Sequence, residues 1–174
     1  MADTQGASVS FDLKEIDAVK KMLAKASLNS ADRGRLLQSI GTEMVEQTQE
    51  RFELQRSPEG DTWKDLAQKT QDYYLSKGIG GSLLDRSGAG LRESLTREVQ
   101  GGAWSVLVGA AKEYAAVHQF GAQIVPKSAK ALFVPGYGML KKANIPARPY
   151  LGVSSDDAKK IEALVAIFLE GIIK

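Results

Sequence analysis

The stretch from Asp32 to Phe52 constrains the fold more than any other part of the chain. Leu36, Leu37, Ile40, Met44, Val45, Thr48 and Phe52 recur at helical spacing on one face, while Asp32, Arg33, Arg35, Glu43, Glu46, Gln49 and Glu50 take the rest. Burying each large apolar side chain is worth about 1.5–3 kcal/mol, so the chain has to supply a sheet or further helices to cover this stripe. Gly41 lies inside the helix at a cost of about 1 kcal/mol relative to alanine, which predicts the close approach of another element there. Ser27-Leu28-Asn29-Ser30 supplies a cap before the helix, and Ser57-Pro58-Glu59-Gly60 stops it. Trp63 is expected to fold back over the helix end, with Leu66 beside it.

The covering elements can be read in turn. A C-terminal helix from Ser154-Ser155-Asp156-Asp157 carries Ile161, Leu164, Val165, Phe168, Leu169 and Ile172 on one face. Leu95–Val99 and Trp104–Val108 alternate as half-buried strands around Gly101-Gly102, a pair suited to a tight hairpin turn. Glu113 to Phe120 reads as a helix stopped by Gly121. Gln123-Ile124-Val125 and Ala131–Val134 read as a second strand pair joined by residues 126–130. Ile145 to Val153 is extended, because Pro146 and Pro149 remove donors and bias the residues before them away from helix. Residues 1–10 are small and polar and are expected to be disordered. A helix over 12–26 carries Ile16, Val19 and Leu23, with Lys14, Lys20, Lys21 and Lys25 opposite as a solvated face. Residues 65–77 are weakly helical, 78–82 form a loop, and 86–90 turn into a short helix at Leu91. The expectation is one α+β domain over residues 1–174, with a small antiparallel sheet packed against the long helix and the C-terminal helix, an N-terminal helical segment and a basic β-hairpin excursion.

At 174 residues the chain can bury a real core. With a formal net charge of +2 it lacks the strong basic balance of a chain that binds nucleic acid throughout. It has no cysteine, which excludes disulfides, thiolate nucleophiles and Cys-ligated zinc. The N-terminus has no signal-peptide pattern and no apolar run reaches membrane-spanning length, so a soluble protein is expected.

Catalytic chemistry finds little support. His118 is the only histidine and lies beside Gln119 and Phe120 at a helix end, where a structural hydrogen-bonding role is the plain expectation. Gly88-Ala89-Gly90 is followed by Glu93 where a dinucleotide fingerprint needs Gly or Ala, and no Gly-Lys-Ser/Thr occurs. Asp156-Asp157 faces a helix start, which capping explains. Ser57, Ser87 and Ser94 lack a nucleophile elbow. No cofactor is expected.

One segment stands apart. From Tyr114 to Tyr150 the chain has no acidic residue but carries Lys127, Lys130, Lys141, Lys142 and Arg148. These residues either keep a long loop soluble or dock on an acidic neighbour or on nucleic-acid phosphates. Without aromatic interleaving, specific base reading is not expected.

The ordered motifs resemble the phage virion morphogenesis family, the tail-completion proteins of P2-like and Mu-like contractile-tailed phages. The resemblance rests on Arg51-Phe52, Gln55, Ser57-Pro58-Glu59-Gly60, Trp63 and Leu66, then Leu83-Leu84, Ser87-Gly88, Leu91 and Val106-Val108-Gly109. It closes on Tyr114-Ala115, His118-Gln119-Phe120-Gly121 and Ile145-Pro146-Ala147-Arg148-Pro149-Tyr150-Leu151-Gly152. It implies a structural protein without catalysis, assembled in the host cytoplasm and retained in the virion at the tail end or neck, where head joins tail. Its implied partners are copies of itself in a ring, often sixfold, together with tail-tube, tail-terminator and neck or connector proteins. Lys127, Lys130, Lys141, Lys142, Arg148 and Tyr150 become candidate interaction residues. Trp63, Tyr114, His118, Gln119, Phe120, Gly121, Pro146 and Pro149 are the structural motif positions. The alternative is a nucleic-acid-associated packaging or regulatory factor that uses residues 125–148.

Overall fold

The computed structural model describes residues 7–12, 16–85, 90–100, 104–134 and 136–172. Strand β1 (Ala7–Asp12) comes first, followed by helices α1 (Asp17–Lys25), α2 (Ser30–Leu54) and α3 (Gln68–Ser76). A 3-10 turn (Arg92–Ser94) leads into β2 (Leu95–Val99), β3 (Ser105–Ala110) and α4 (Ala115–Phe120). Among the described residues four short strands follow, β4 (Ala122–Ile124), β5 (Leu132–Val134), β6 (Gly138–Leu140) and β7 (Ala143–Ile145), and the last element is α5 (Ser155–Ile172).

The three-stranded sheet has the order β1-β3-β2 and is antiparallel throughout. The expected hairpin is its β2–β3 half, and the turn at Gly101-Gly102 lies outside the described residues. Helix α2 crosses β2 and β3 and packs against α5, so its stripe is covered by sheet and helix together. Leu36, Leu37, Ile40, Met44 and Phe52 are all buried, as are Val106 and Val108 of β3 and Ile161 and Val165 of α5. The helix begins as its sequence predicts, with the Asn29 side chain accepting from the Asp32 N–H at 2.9 Å. At Gly41 a Cβ would lie 2.7 Å from Arg97 Cδ and 3.0 Å from Val106 Cγ1. That crossing with the sheet is the close approach for which the glycine is needed.

Two expectations are corrected. Residues 7–10, expected in a disordered tail, belong to β1, and the helix expected from residue 12 begins at Asp17. The strand is held by backbone pairing with β3, register Ala7↔Ala110 to Asp12↔Ser105, and small polar residues advertise no such pairing. Second, Gln123–Val125 does not pair with Ala131–Val134. Instead β4 pairs β7 and β5 pairs β6, so two ladders are nested in one arm. The inner turn runs through Gly136 and Gly138, at φ +80° and +77°, conformations that glycine adopts freely.

Candidate assembly surface and the keystone behind it

The two closing motifs are one mechanical unit. Gln119 on α4 is buried, and its Oε1 accepts from the backbone N–H groups of Tyr150 at 3.0 Å and Leu151 at 2.9 Å. Its Nε2 donates to the Leu151 carbonyl at 2.9 Å. One amide therefore satisfies three backbone groups of a segment that two prolines exclude from helix and sheet. Gly121, at φ +73°, lets the chain leave α4 where a Cβ would sit 2.8 Å from Ala147 N.

The extended segment is fastened on its other side by the end of α2. Phe52 lies 5.2 Å from the Tyr150 ring and 5.5 Å from Trp63, the latter edge-on. Trp63 donates from Nε1 to the Pro149 carbonyl at 2.7 Å, so the expected plug over the helix end is tied directly to the motif. Pro58 closes over Gly152, where a Cβ would meet Pro58 Cγ at 2.7 Å. Arg51 donates to the carbonyls of Tyr150 at 3.0 Å and Gly152 at 3.1 Å and pairs with Asp157 in the interior. Asp157 also accepts from the Ser154 N–H at 2.7 Å, while its own N–H donates to Ser154 Oγ at 3.0 Å. Capping thus accounts for this carboxylate, as expected, and the buried ion pair adds a second role.

Arg148 and Tyr150 therefore need reassignment. Both were expected on an interaction surface, yet Arg148 is 3% exposed and Tyr150 is 0% exposed. Arg148 donates from Nε to the Lys64 carbonyl at 2.8 Å and from Nη2 to the Asp65 carbonyl at 3.2 Å. Charge suggested an outward guanidinium, but two of its donors are taken by carbonyls of its own chain. The Tyr150 hydroxyl donates to the Ala115 carbonyl at 3.2 Å, and burial pushes its pKa above the ordinary value. The backbone N–H groups of Arg148, Tyr150 and Leu151 are likewise bonded within the chain, which leaves this segment poorly suited to pairing with a neighbour's sheet edge.

His118 sits behind this segment, with its carbonyl accepting from the Arg148 N–H at 2.7 Å. Its ring is edge-on to Tyr114 at 5.8 Å, and its Nδ1 is buried without a hydrogen-bond partner. Desolvation by burial, and then the Arg148 charge, lower its pKa below the usual histidine value. The unfolded chain therefore takes up the proton first, and stability present above about pH 6.5 is lost as pH falls toward the folded value. Thermal melts are expected to show the protein weakening through this window, with His118→Gln showing a flatter dependence. Parallel profiles for the two proteins would contradict this.

The surface is formed by the arm. Lys127, Lys130, Lys141 and Lys142 are all exposed, and none is in an ion pair with a described residue. The inner ladder alternates: Leu132, Val134 and Leu140 are half-buried, whereas Phe133 and its cross-strand partner Met139 are 72% and 65% exposed. Phe120 and Val125 are also exposed. Three-residue strands carry too little periodicity to mark Phe133 and Met139 as outward-facing from sequence.

The arm turns back onto α3. A Cβ at Gly136 would meet Tyr73 Cβ at 2.9 Å, and Lys69 Nζ lies 5.6 Å from the Tyr137 ring centroid. Between arm and helix runs a groove of about 810 Å³ lined by Leu66, Tyr73, Tyr74, Tyr137, Leu140 and Ile145, with Lys64, Lys142, Arg148 and His118 among its polar residues. Asp65 is the carboxylate among its described lining residues. No group of three or more acidic or histidine side chains among the described residues is placed to hold a metal ion. No described helix is long and apolar enough to cross a membrane.

A family model described as the phage virion morphogenesis family matches residues 14–170. The chain belongs to this family. A similar curated protein is "Mu-like prophage FluMu G protein 1" of Haemophilus influenzae, 28% identical over 156 residues that cover 89% of each chain. No solved structure matches. Family membership agrees with a structural role in phage tail assembly and a place in the virion tail. A non-enzymatic protein fits that membership.

Proposed function

We propose that the protein completes the phage tail by assembling as a ring, sixfold in the simplest case, at the tube end or neck where head joins tail. Its partners in this reading are copies of itself, the tail tube or terminator, and neck or connector proteins. The observation that carries the reading is the arm: an exposed Phe133–Met139 pair on an arm that also carries exposed lysines, in a chain of a tail-assembly family. Apolar side chains this exposed gain little in a monomer beyond their cross-strand contact and gain more when covered. The keystone around Gln119 and Arg51 holds the base of the arm at a fixed angle to the core, as repeated contacts around a ring require.

The test uses a phage or prophage that depends on this gene. Phe133→Ser with Met139→Ser changes two exposed residues, so the protein is expected to fold normally. It should nevertheless weaken assembly about 30-fold or more, the value of an interface hot spot, and leave unjoined heads and tails. Normal infectious titre from that variant would reject the reading. The exposed lysines favour a second reading, a factor that binds DNA through residues 125–148. Its mark is DNA binding that weakens steeply with salt, whereas a ring rests on self-association that retains an apolar, salt-tolerant part.

A further inference from the structure

Building on the ring reading, we infer that the arm of one protomer docks on the outer face of α2 in a second copy. The sequence supplies two surfaces of opposite charge. The arm carries Lys127, Lys130, Lys141 and Lys142 with no acid between Glu113 and Asp156. Helix α2 carries Glu43, Glu46, Glu50 and Glu53, whose three-four-three spacing sets them in one row. Glu50 and Glu53 are more than half exposed, and their partners Lys160 and Arg92 make surface pairs worth about 0–1 kcal/mol, so they exchange readily.

Apolar groups complete the match. Leu54, next to the last glutamate of the row, is 56% exposed and offers a contact for Phe133 and Met139. A phosphate backbone would meet the lysines but leave this pair uncovered. The groove beside α3 is a poorer receptor for a neighbour's arm, because Lys64, Lys142 and Arg148 among its lining would repel it. Because the two faces lie on different elements, the contact is head-to-tail, the type that propagates around a ring when the rotation closes.

The experiment is a reciprocal charge swap followed by sedimentation. One variant carries Lys127→Glu, Lys130→Glu and Lys141→Glu, and the other carries Glu46→Lys, Glu50→Lys and Glu53→Lys. Each alone presents like charges to itself and should lose self-association by about 100-fold. An equimolar mixture places acidic arms on basic helices and basic arms on acidic helices, so association should return. All substituted side chains lie on the surface; Glu50→Lys and Glu53→Lys face Lys160 and Arg92, so a small drop in melting temperature is expected there, and cooperative circular dichroism melts check that both variants fold. If wild type assembles but the variants assemble equally well, or the mixture stays dissociated, this docking is wrong while the ring reading stands. Wild type that sediments as a monomer across the concentration range overturns both.

Discussion

Replacing Gln119 by alanine is expected to destabilise the protein by about 3–9 kcal/mol, because three backbone groups of Tyr150 and Leu151 lose their partner in a buried site, at about 1–3 kcal/mol each. A domain's whole stability is about 5–15 kcal/mol, so the variant should sit near its unfolding threshold. Gln119→Leu fills the volume without restoring the bonds, and it should be almost as unstable. Urea denaturation checks both. A loss under about 1 kcal/mol in the leucine variant would show that packing, rather than amide bonding, holds the extended segment.

The second large effect is expected at Asp157. Its removal strands the Arg51 guanidinium in the interior, which costs about 3–5 kcal/mol, and also removes the bond to Ser154 N–H that starts α5. Asp157→Asn retains an acceptor for Ser154 and should lose less than Asp157→Ala. Combining Asp157→Ala with Arg51→Met should cost less than the sum of the single changes, since the stranded charge is then gone. The carbonyls of Tyr150 and Gly152 would still lack their donor, so the double variant stays below wild type. Additive losses in denaturation would contradict a coupled pair.

Gln119 also marks where the pattern of residues stops being readable. Helix α2 was legible because seven positions repeat a period that only burial rewards, and its cap at Asn29 and crossing at Gly41 follow from local chemistry. Gln119 carries no such signal, since an amide side chain reads as solvated until a segment some thirty residues away supplies its partners. Arg148 misled for a related reason. A charged group suggests solvent or an external carboxylate, yet a guanidinium can be buried when backbone carbonyls accept from it. Strands of three residues are too short for periodicity, so the nesting of β4–β7 around β5–β6 could not be read from pattern. β1 was hidden because its serines declare neither face. The motif residues named by the resemblance pack around the base of the arm, while Phe133, Met139 and the arm's lysines are exposed.

The protein is expected to work by covering one particle surface with another. Purified wild-type protein mixed with isolated tail tubes and imaged by electron microscopy gives the most direct answer. Ring-shaped density at one end of the tubes is expected, and it should be absent with the Phe133→Ser, Met139→Ser variant. Tubes left bare by the wild-type protein, or capped equally well by the variant, would contradict it.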